Sequence, residues 1–406
     1  NLSVDGGTIK LDGNYPTGTN NVALGDTALD SLTSGNQNTA VGFAALTANT
    51  EGTNNTAIGL CALCSNTTGD TNTALGVNAL DANNTGDENT GVGGSALGVN
   101  TSGCYNTAVG RFALFANETA NSNTAVGYCS LKANTTGTLN TAIGICSSAG
   151  MTTGQQNASI GGSSLIANTT GSRNSALGMS SLATNTTGSD NVAVGHGALN
   201  ANTGSENTAV GRASLQANTS GTDNTAVGMQ SLNANTTGAN NVAVGYQALD
   251  SNTTANENVA VGRCSLYTNT TGTKNIAIGS YALDTNTEGD KNVAIGYQAL
   301  DANTTADDNT AVGDSALKAN TTGCQNVAVG TGSLDANTNG VMNVAIGRNS
   351  LGANITGCCN VALGRTAMEL NTTGCYNVAI GKDTLANNTT ANNNTAVGFQ
   401  SLLANT

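Results

Sequence analysis

A unit of 17 residues repeats along this chain and begins with Asn in every copy. Counted from Asn21 to Asn394, the unit occurs 23 times, and the only irregular step is the 16 residues between Asn191 and Asn207. Each copy of a fixed-period repeat forms one small structure that stacks on its neighbours. The fold of the chain is therefore decided by the fold of one unit.

The unit, numbered here as positions 1 to 17 from its leading Asn, has the composition of a short strand followed by turns. Position 2 is mostly Thr or Val, position 3 is nearly always Ala, and position 4 is always Val, Ile or Leu. Runs of this kind favour strands. Gly at position 5 and Gly or Ala at position 15 indicate turns, and helical periodicity is absent. The sequence predicts an all-β chain.

Stacking gives such short strands a stable partner. Parallel strands about 4.8 Å apart share backbone hydrogen bonds, and each side chain then has an identical neighbour above and below. The repeat therefore predicts a parallel β-solenoid (β-roll) of 23 stacked 17-residue coils. Positions 4 and 9 are predicted to form aliphatic columns inside it, with small residues at positions 3, 8 and 11 between its walls. Each fully buried Leu at position 9 would contribute about 1.5 to 3 kcal/mol.

Asn at positions 1 and 12 points to a second kind of column. A stack of identical Asn side chains at position 1 can satisfy its amides from coil to coil, although Asn also simply favours turns. Position 12 is usually Asn, but the coil with Ser148 in place of Leu at position 9 carries Met151 there. A methionine would fill the gap left by the missing Leu, so we expect position 12 to point inward.

The segments Asn292–Ala299 and Asn343–Ser350 resemble the head repeat of YadA-like trimeric autotransporter adhesins. The longer form, with Tyr-Gln-Ala-Leu after the Gly, is similar to repeat arrays of phage tail-fibre proteins, and Gly7–Pro16 looks like the lead-in to such arrays. This resemblance implies a trimeric, left-handed parallel β-roll in an extracellular, cell-surface or virion-surface fibre. The chain differs from the YadA pattern in its longer period, its Leu at position 9 and its Asn-Thr-Thr-Gly turn.

Composition and charge limit the domains and partners. The repeat array spans 21–406, and residues 1–20 are predicted to form an N-terminal cap or joint. The net charge is −13 and no column of Lys or Arg exists to neutralise phosphates, which argues against nucleic acid as a partner. No apolar run reaches the roughly 18 residues of a membrane span, so membrane insertion is not expected.

The ten Cys residues follow the repeat. Two pairs share a column one coil apart, Cys129 with Cys146 at position 7 and Cys358 with Cys375 at position 16. Because stacked Cα atoms about 4.8 Å apart are within disulfide range, both pairs are candidate disulfides. The alternative is that they are scattered surface thiols. A metal site is disfavoured, since neither cluster contains His.

Position 12 also carries an Asn-x-Ser/Thr motif in sixteen units, and each motif is a candidate N-glycosylation site if the protein is secreted by a eukaryote. The alternative is that an inner Asn ladder followed by Thr creates the motif without any glycan. The sixteen asparagines are Asn66, Asn83, Asn100, Asn117, Asn134, Asn168, Asn185, Asn218, Asn235, Asn252, Asn269, Asn303, Asn320, Asn354, Asn371 and Asn388.

Other motifs give little support for chemistry. Segments beginning at Asp335 and Asp284 match the first half of a calcium loop, but Ile346 and Ile295 stand where an EF-hand needs Glu. The lone His196 is expected to face solvent, and no nucleophile is spaced with a base. Thr at position 13 suggests an ice-binding column. Such a surface needs two outward Thr columns separated by one inward residue. Here the second Thr is at the adjacent position 14, so its side chain would face the other way.

These observations favour a non-enzymatic structural protein that forms a stiff extracellular fibre or filament, such as the shaft of an adhesin, tail fibre or surface fibril. No cofactor is expected. The predicted partners are other copies of the chain, as a homotrimer or end-to-end filament, and a cell-surface receptor or glycan reached through parts outside this sequence. The alternative is a repetitive binding module whose lateral face recognises glycans or ice.

Overall fold

The computed structural model describes residues 18–404, which contain 23 short strands and no helix. Most of the predicted N-terminal segment, including Gly7–Pro16, lies outside the described residues. The strands are β1 Val22–Leu24, β2 Thr39–Val41, β3 Thr56–Ile58, β4 Thr73–Leu75, β5 Thr90–Val92, β6 Thr107–Val109, β7 Thr124–Val126, β8 Thr141–Ile143, β9 Ala158–Ile160, β10 Ser175–Leu177, β11 Val192–Val194, β12 Thr208–Val210, β13 Thr225–Val227, β14 Val242–Val244, β15 Val259–Val261, β16 Ile276–Ile278, β17 Val293–Ile295, β18 Thr310–Val312, β19 Val327–Val329, β20 Val344–Ile346, β21 Val361–Leu363, β22 Val378–Ile380 and β23 Thr395–Val397.

The chain divides into two compact units, each a stack of parallel strands. The first unit ends at Gly204 and holds β1–β11, and the second begins at Ser205 and holds β12–β23. Within each unit, every strand pairs with the strand of the next repeat, and equivalent positions lie side by side: Val22 pairs with Thr39, and Thr208 pairs with Thr225. The prediction of an all-β parallel solenoid built from 17-residue coils is confirmed.

Backbone hydrogen bonds join neighbouring coils well beyond the three-residue strands. The amide of Leu46 at position 9 donates to the carbonyl oxygen of Ala62 at 3.0 Å, and the amide of Thr50 at position 13 donates to that of Thr67 at 3.0 Å. Turns therefore contribute to the ladder as strands do. Because each added coil satisfies the backbone of the last, the stack is stabilised mainly by nearest-neighbour contacts.

Gly at position 5 is required by the backbone. Gly42 has a φ of 135°, a conformation that residues with a Cβ rarely adopt. A Cβ at this residue would also lie 2.5 Å from the carbonyl oxygen of Gly59 in the next coil. The same two constraints recur along each unit, which explains why position 5 is Gly in all 23 copies.

The core consists of a Leu column at position 9 facing small residues at positions 3 and 8. Leu114, Ala108 and Ala113 of one coil are all fully buried. Position 9 therefore forms the inner aliphatic column that the sequence predicts. The Leu side chains do so from a left-handed backbone, with φ of 51° at Leu114. Such a φ costs about 1 to 2 kcal/mol for an L-residue, and burial of the side chain offsets it.

The predicted inner column at position 4 is wrong. Leu75 is 45% exposed and Ile143 is 38% exposed, although both belong to the strand itself. Successive strand residues point to opposite faces, so burying Ala at position 3 turns positions 2 and 4 outward. Position 11 is also outside the core, since Ala48 and Ala82 are only half-buried. The interior is thinner than predicted, with Ala rather than Val or Ile on its strand wall.

Candidate functional surfaces

Asn at position 1 forms an inner ladder along each unit. The side-chain oxygen of Asn38 accepts a hydrogen bond from the backbone amide of Asn55 at 2.9 Å. Its Nδ2 donates to the carbonyl oxygen of Gly52 at 2.8 Å, where the chain turns at position 15. Each buried amide thus has partners in its own coil and in the next, as a buried amide requires. The ladder interpretation of position 1 is confirmed.

Asn at position 12 forms a second inner ladder. In Asn66, Nδ2 donates to the side-chain oxygen of Asn49 and to the carbonyl oxygen of Gly69, both at 2.9 Å. All sixteen motif asparagines, from Asn66 to Asn388, are fully buried. A glycan would replace one hydrogen of Nδ2 and would need open space beside it. The packed coils leave no such space, so this geometry does not support N-glycosylation of position 12.

The second ladder of the first unit is interrupted at the coil that contains Met151. Ser148 at position 9 and Met151 at position 12 are both buried. The burial of Met151 agrees with the prediction that this methionine fills the gap left by the missing Leu. Ser148 Oγ lies 2.7 Å from Ser159 Oγ, which itself replaces the usual Ala at position 3. Because methionine cannot donate a hydrogen bond, the side-chain oxygen of Asn134 in the preceding coil is buried without a partner.

The ten cysteines are all free thiols in the described residues. The candidate pairs differ: Cys358 Sγ lies 2.9 Å from Cys375 Sγ, whereas within residues 18–404 no sulfur contact joins Cys129 to Cys146. The hydrogen bond to Cys375, together with burial, raises the pKa of the Cys358 thiol to about 12. A thiol with so high a pKa is almost entirely protonated at neutral pH and therefore a weak nucleophile.

Position 10 carries a group of half-buried carboxyls, of which the sequence analysis named Asp284 only as the first residue of a possible calcium loop. Burial raises the pKa of Asp284 to about 6, and the adjacent Asp301 one coil away adds to this rise. Burial also raises the pKa of Asp250, and one oxygen of Asp250 and of Asp284 is buried without a partner. Their shared position in the repeat is the signal that could have identified them. Asp284 therefore takes up a proton in mildly acidic conditions.

The described residues contain no arrangement typical of a calcium loop or a catalytic centre. Asn337, a potential ligand of the loop that begins at Asp335, is fully buried and donates both amide hydrogens to the inner ladder. His196 is exposed, as predicted. A shallow notch lies beside Gly352 and is lined by Asp335 and Glu369, but it contains no nucleophile next to a base. No group of three His, Cys, Asp or Glu side chains in residues 18–404 is placed to hold a metal ion.

Side chains at positions 2 and 4 form what we call the outer sheet face of each unit. None of the 23 copies has a charged residue at either position. Thr56 and Ile58 of β3 are typical, with the first half-buried and the second exposed on either side of the buried Ala57. The face is therefore a pair of uncharged columns separated by one inward residue, an arrangement that the sequence analysis sought at position 13.

The hydroxyl groups of the two Thr columns have different surroundings. At position 13, Thr50 Oγ1 donates to the carbonyl oxygen of Thr67 at 3.1 Å, and Thr101 Oγ1 donates to that of Glu118 at 3.0 Å. At position 2, the hydroxyls of Thr56, Thr73 and their equivalents have no hydrogen-bond partner within the described residues. The position 13 hydroxyls therefore donate hydrogen bonds to the backbone of the next coil, and the position 2 hydroxyls are available to solvent.

No helix within residues 18–404 is long and apolar enough to cross a membrane. Compared with protein-family models and with curated proteins, the chain matches none of them. Its function is therefore inferred from its own fold and surfaces.

Proposed function

We propose that this chain is a non-enzymatic structural protein that forms a stiff extracellular fibre or the shaft of one, such as the shaft of an adhesin, tail fibre or surface fibril. The observation that carries the proposal is the pair of Asn ladders beside the Leu column, which repeat the same contacts from coil to coil. Asn303 donates to Asn286 at 2.8 Å, and Asn320 in turn donates to Asn303 at 3.1 Å. Bending or separating the coils would break hydrogen bonds between buried side chains, which makes the stack stiff.

Self-association is the second part of the proposal. The outer sheet face carries a half-buried or exposed aliphatic side chain at position 4 in every coil, and apolar side chains at position 6 of the second unit, such as Met229, Tyr246 and Tyr297, are also exposed. Continuous exposed apolar surface is typical of protein–protein contact sites. Other copies of the chain, arranged as a homotrimer or a filament, would cover this face in the second unit, where position 2 is Val or Ile in eight of twelve coils. The resemblance to adhesin and tail-fibre repeats makes a trimer the preferred assembly, with any receptor or glycan bound by parts outside this sequence.

The proposal is tested by counting chains and measuring stiffness in solution. Light scattering coupled to size exclusion, together with chemical cross-linking, is expected to give three chains per particle, and electron microscopy is expected to give unbranched rods of uniform width. A particle that stays monomeric at all concentrations would contradict self-association. Rods that bend freely in the images would contradict the shaft function.

A further inference from the structure

The outer sheet face of the first unit has a regular run of hydroxyl groups. Position 2 is Thr in seven consecutive coils, and position 4 of each of these coils is Val, Ile or Leu. Every one of these Thr side chains is half-buried or exposed. The seven residues are Thr39, Thr56, Thr73, Thr90, Thr107, Thr124 and Thr141.

This run is a two-dimensional array with fixed spacings. Neighbouring coils are about 4.8 Å apart, and positions 2 and 4 of one strand are separated by about 6.6 Å. Thr, Val and Ile, which occupy all but one of these positions, are β-branched and have few allowed rotamers, which favours a repeated orientation of their hydroxyl and methyl groups. A rigid array of this kind can hold water molecules at regular positions.

The hydroxyls of the array are unpartnered within the described part of the chain, and no charged side chain interrupts the two columns. A ligand that suits such a face must be periodic and uncharged, and it must satisfy hydroxyl groups while covering methyl groups. The surface of an ice crystal meets these requirements. A second copy of the same face would cover the methyl groups, but pressing the two faces together would remove the water that these hydroxyls need.

We propose that the outer sheet face of β2–β8 binds ice, with the Thr hydroxyls at position 2 and the aliphatic side chains at position 4 holding a layer of ordered water. The inference does not rest on the proposed fibre function, because a single chain presents the whole array. It replaces position 13 as the ice-binding column, since the position 13 hydroxyls are already bonded to the backbone of the next coil.

The test compares two double variants in the full chain. Thr73→Tyr with Thr107→Tyr places rings on the face, whereas Thr85→Tyr with Thr119→Tyr places the same rings at exposed position 14 of the same two coils. The wild type and the position 14 control are expected to concentrate in slowly growing ice and to lower the freezing point below the melting point. The face variant is expected to lose nearly all of both effects.

A third variant keeps the test valid if tyrosine disturbs folding. Thr73→Val with Thr107→Val preserves the shape of the face and removes two hydroxyls, and a partial loss of ice affinity is expected. Exclusion of the wild type from ice, or equal losses in the face variant and the control, would overturn the proposal. A face variant that changes the number of chains per particle and leaves ice affinity intact would also overturn it, because the face would then be a contact between copies.

Discussion

The two units share one pattern of inward residues but have different outer faces. In the first unit, seven of eleven residues at position 2 are Thr, whereas in the second unit eight of twelve are Val or Ile. Strand register, Leu column and Asn ladders are the same in both. The interior is fixed because every inward residue must match its neighbours above and below, and the outward residues are free of that constraint. Surface chemistry can therefore change along the chain without changing the fold.

The interiors differ locally, because the side-chain oxygens of Asn134 and Asn185 in the first unit are both buried without a partner. The first unit contains the Ser148 and Met151 coil, whose missing Asn leaves Asn134 with an unpaired oxygen. The second unit keeps Asn at position 12 in every copy, and its only change at position 9 is Met368, which has nearly the volume of Leu. We expect the first unit to open first at this coil, since its ladder is already broken there.

Removing one Leu from the core should give the largest effect. Leu266→Ala in the second unit and Leu114→Ala in the first delete fully buried side chains. Each substitution should lower the free energy of unfolding by about 2 to 5 kcal/mol. The measurement is the unfolding midpoint in denaturant. Leu75→Ala, at the 45% exposed position 4, is the matched control and should cost less than about 1 kcal/mol. An equal loss in the control would place position 4 back in the core.

Oxidation should distinguish the two cysteine pairs. After equilibration with oxidised glutathione, which allows for slow reaction of the protonated Cys358 thiol, we expect a disulfide between Cys358 and Cys375 rather than between Cys129 and Cys146, because the sulfur atoms of the first pair already lie 2.9 Å apart. Closing a loop of this length should stabilise the second unit by about 3 kcal/mol. Peptide mapping identifies the bond, and Cys358→Ser serves as the control. Preferential bonding of Cys129 to Cys146 would contradict the difference between the units.

Asn substitutions should reveal the defect in the first unit. Asn303→Ala removes two donated hydrogen bonds and the acceptor for Asn320, whereas Asn134→Ala removes only donated bonds because its oxygen has no partner. The first change should therefore destabilise the protein by about 1 kcal/mol more than the second. Denaturant midpoints of the two variants measure this difference. Equal losses would mean that the ladder is no weaker at the Met151 coil.

Much of this fold could be predicted from the repeat, and the errors have a physical cause. The 17-residue period, Leu at position 9 and Asn at position 1 indicated a stacked coil with aliphatic and amide columns. The error at position 4 arose because a three-residue strand is too short to show an alternation of polar and apolar residues. Its sequence alone therefore does not reveal which of its side chains face inward. Asn at position 1 contained the missing information, since an inward position 1 requires an inward position 3 and an outward position 4.

The outer sites were harder to predict because they depend on backbone geometry outside the strands. Thr at position 13 appeared to be a free surface column, and only the hydrogen bond from Thr50 to the carbonyl oxygen of Thr67 reveals that its hydroxyl serves the ladder. Similarly, Asp284 and Asp301 share position 10 of consecutive units, but this position varies along the rest of the chain. Their coupling follows from burial beside each other, which the repeat alone does not give.

The smallest predicted effect is a pH dependence of the second unit. The pKa of Asp284 is raised to about 6 in the folded state from 3.8, so the carboxyl favours folding most when it is protonated. That contribution is fully present below about pH 4 and is lost as the pH rises through 6. Asp284→Asn should therefore stabilise the protein at pH 7, by about 1 kcal/mol after allowance for solvent screening, and have little effect at pH 4.

Asp81 in the first unit is the matched comparison for this pH effect. Burial also raises its pKa, but its neighbours at position 10 are Cys64 and Gly98 rather than a second carboxyl. Asp81→Asn should thus give a smaller gain at pH 7 than Asp284→Asn, as measured by denaturant midpoints at both pH values. If the two substitutions gave the same gain, burial alone would raise both pKa values, and the stacked Asp301 would have no part in the response of the second unit.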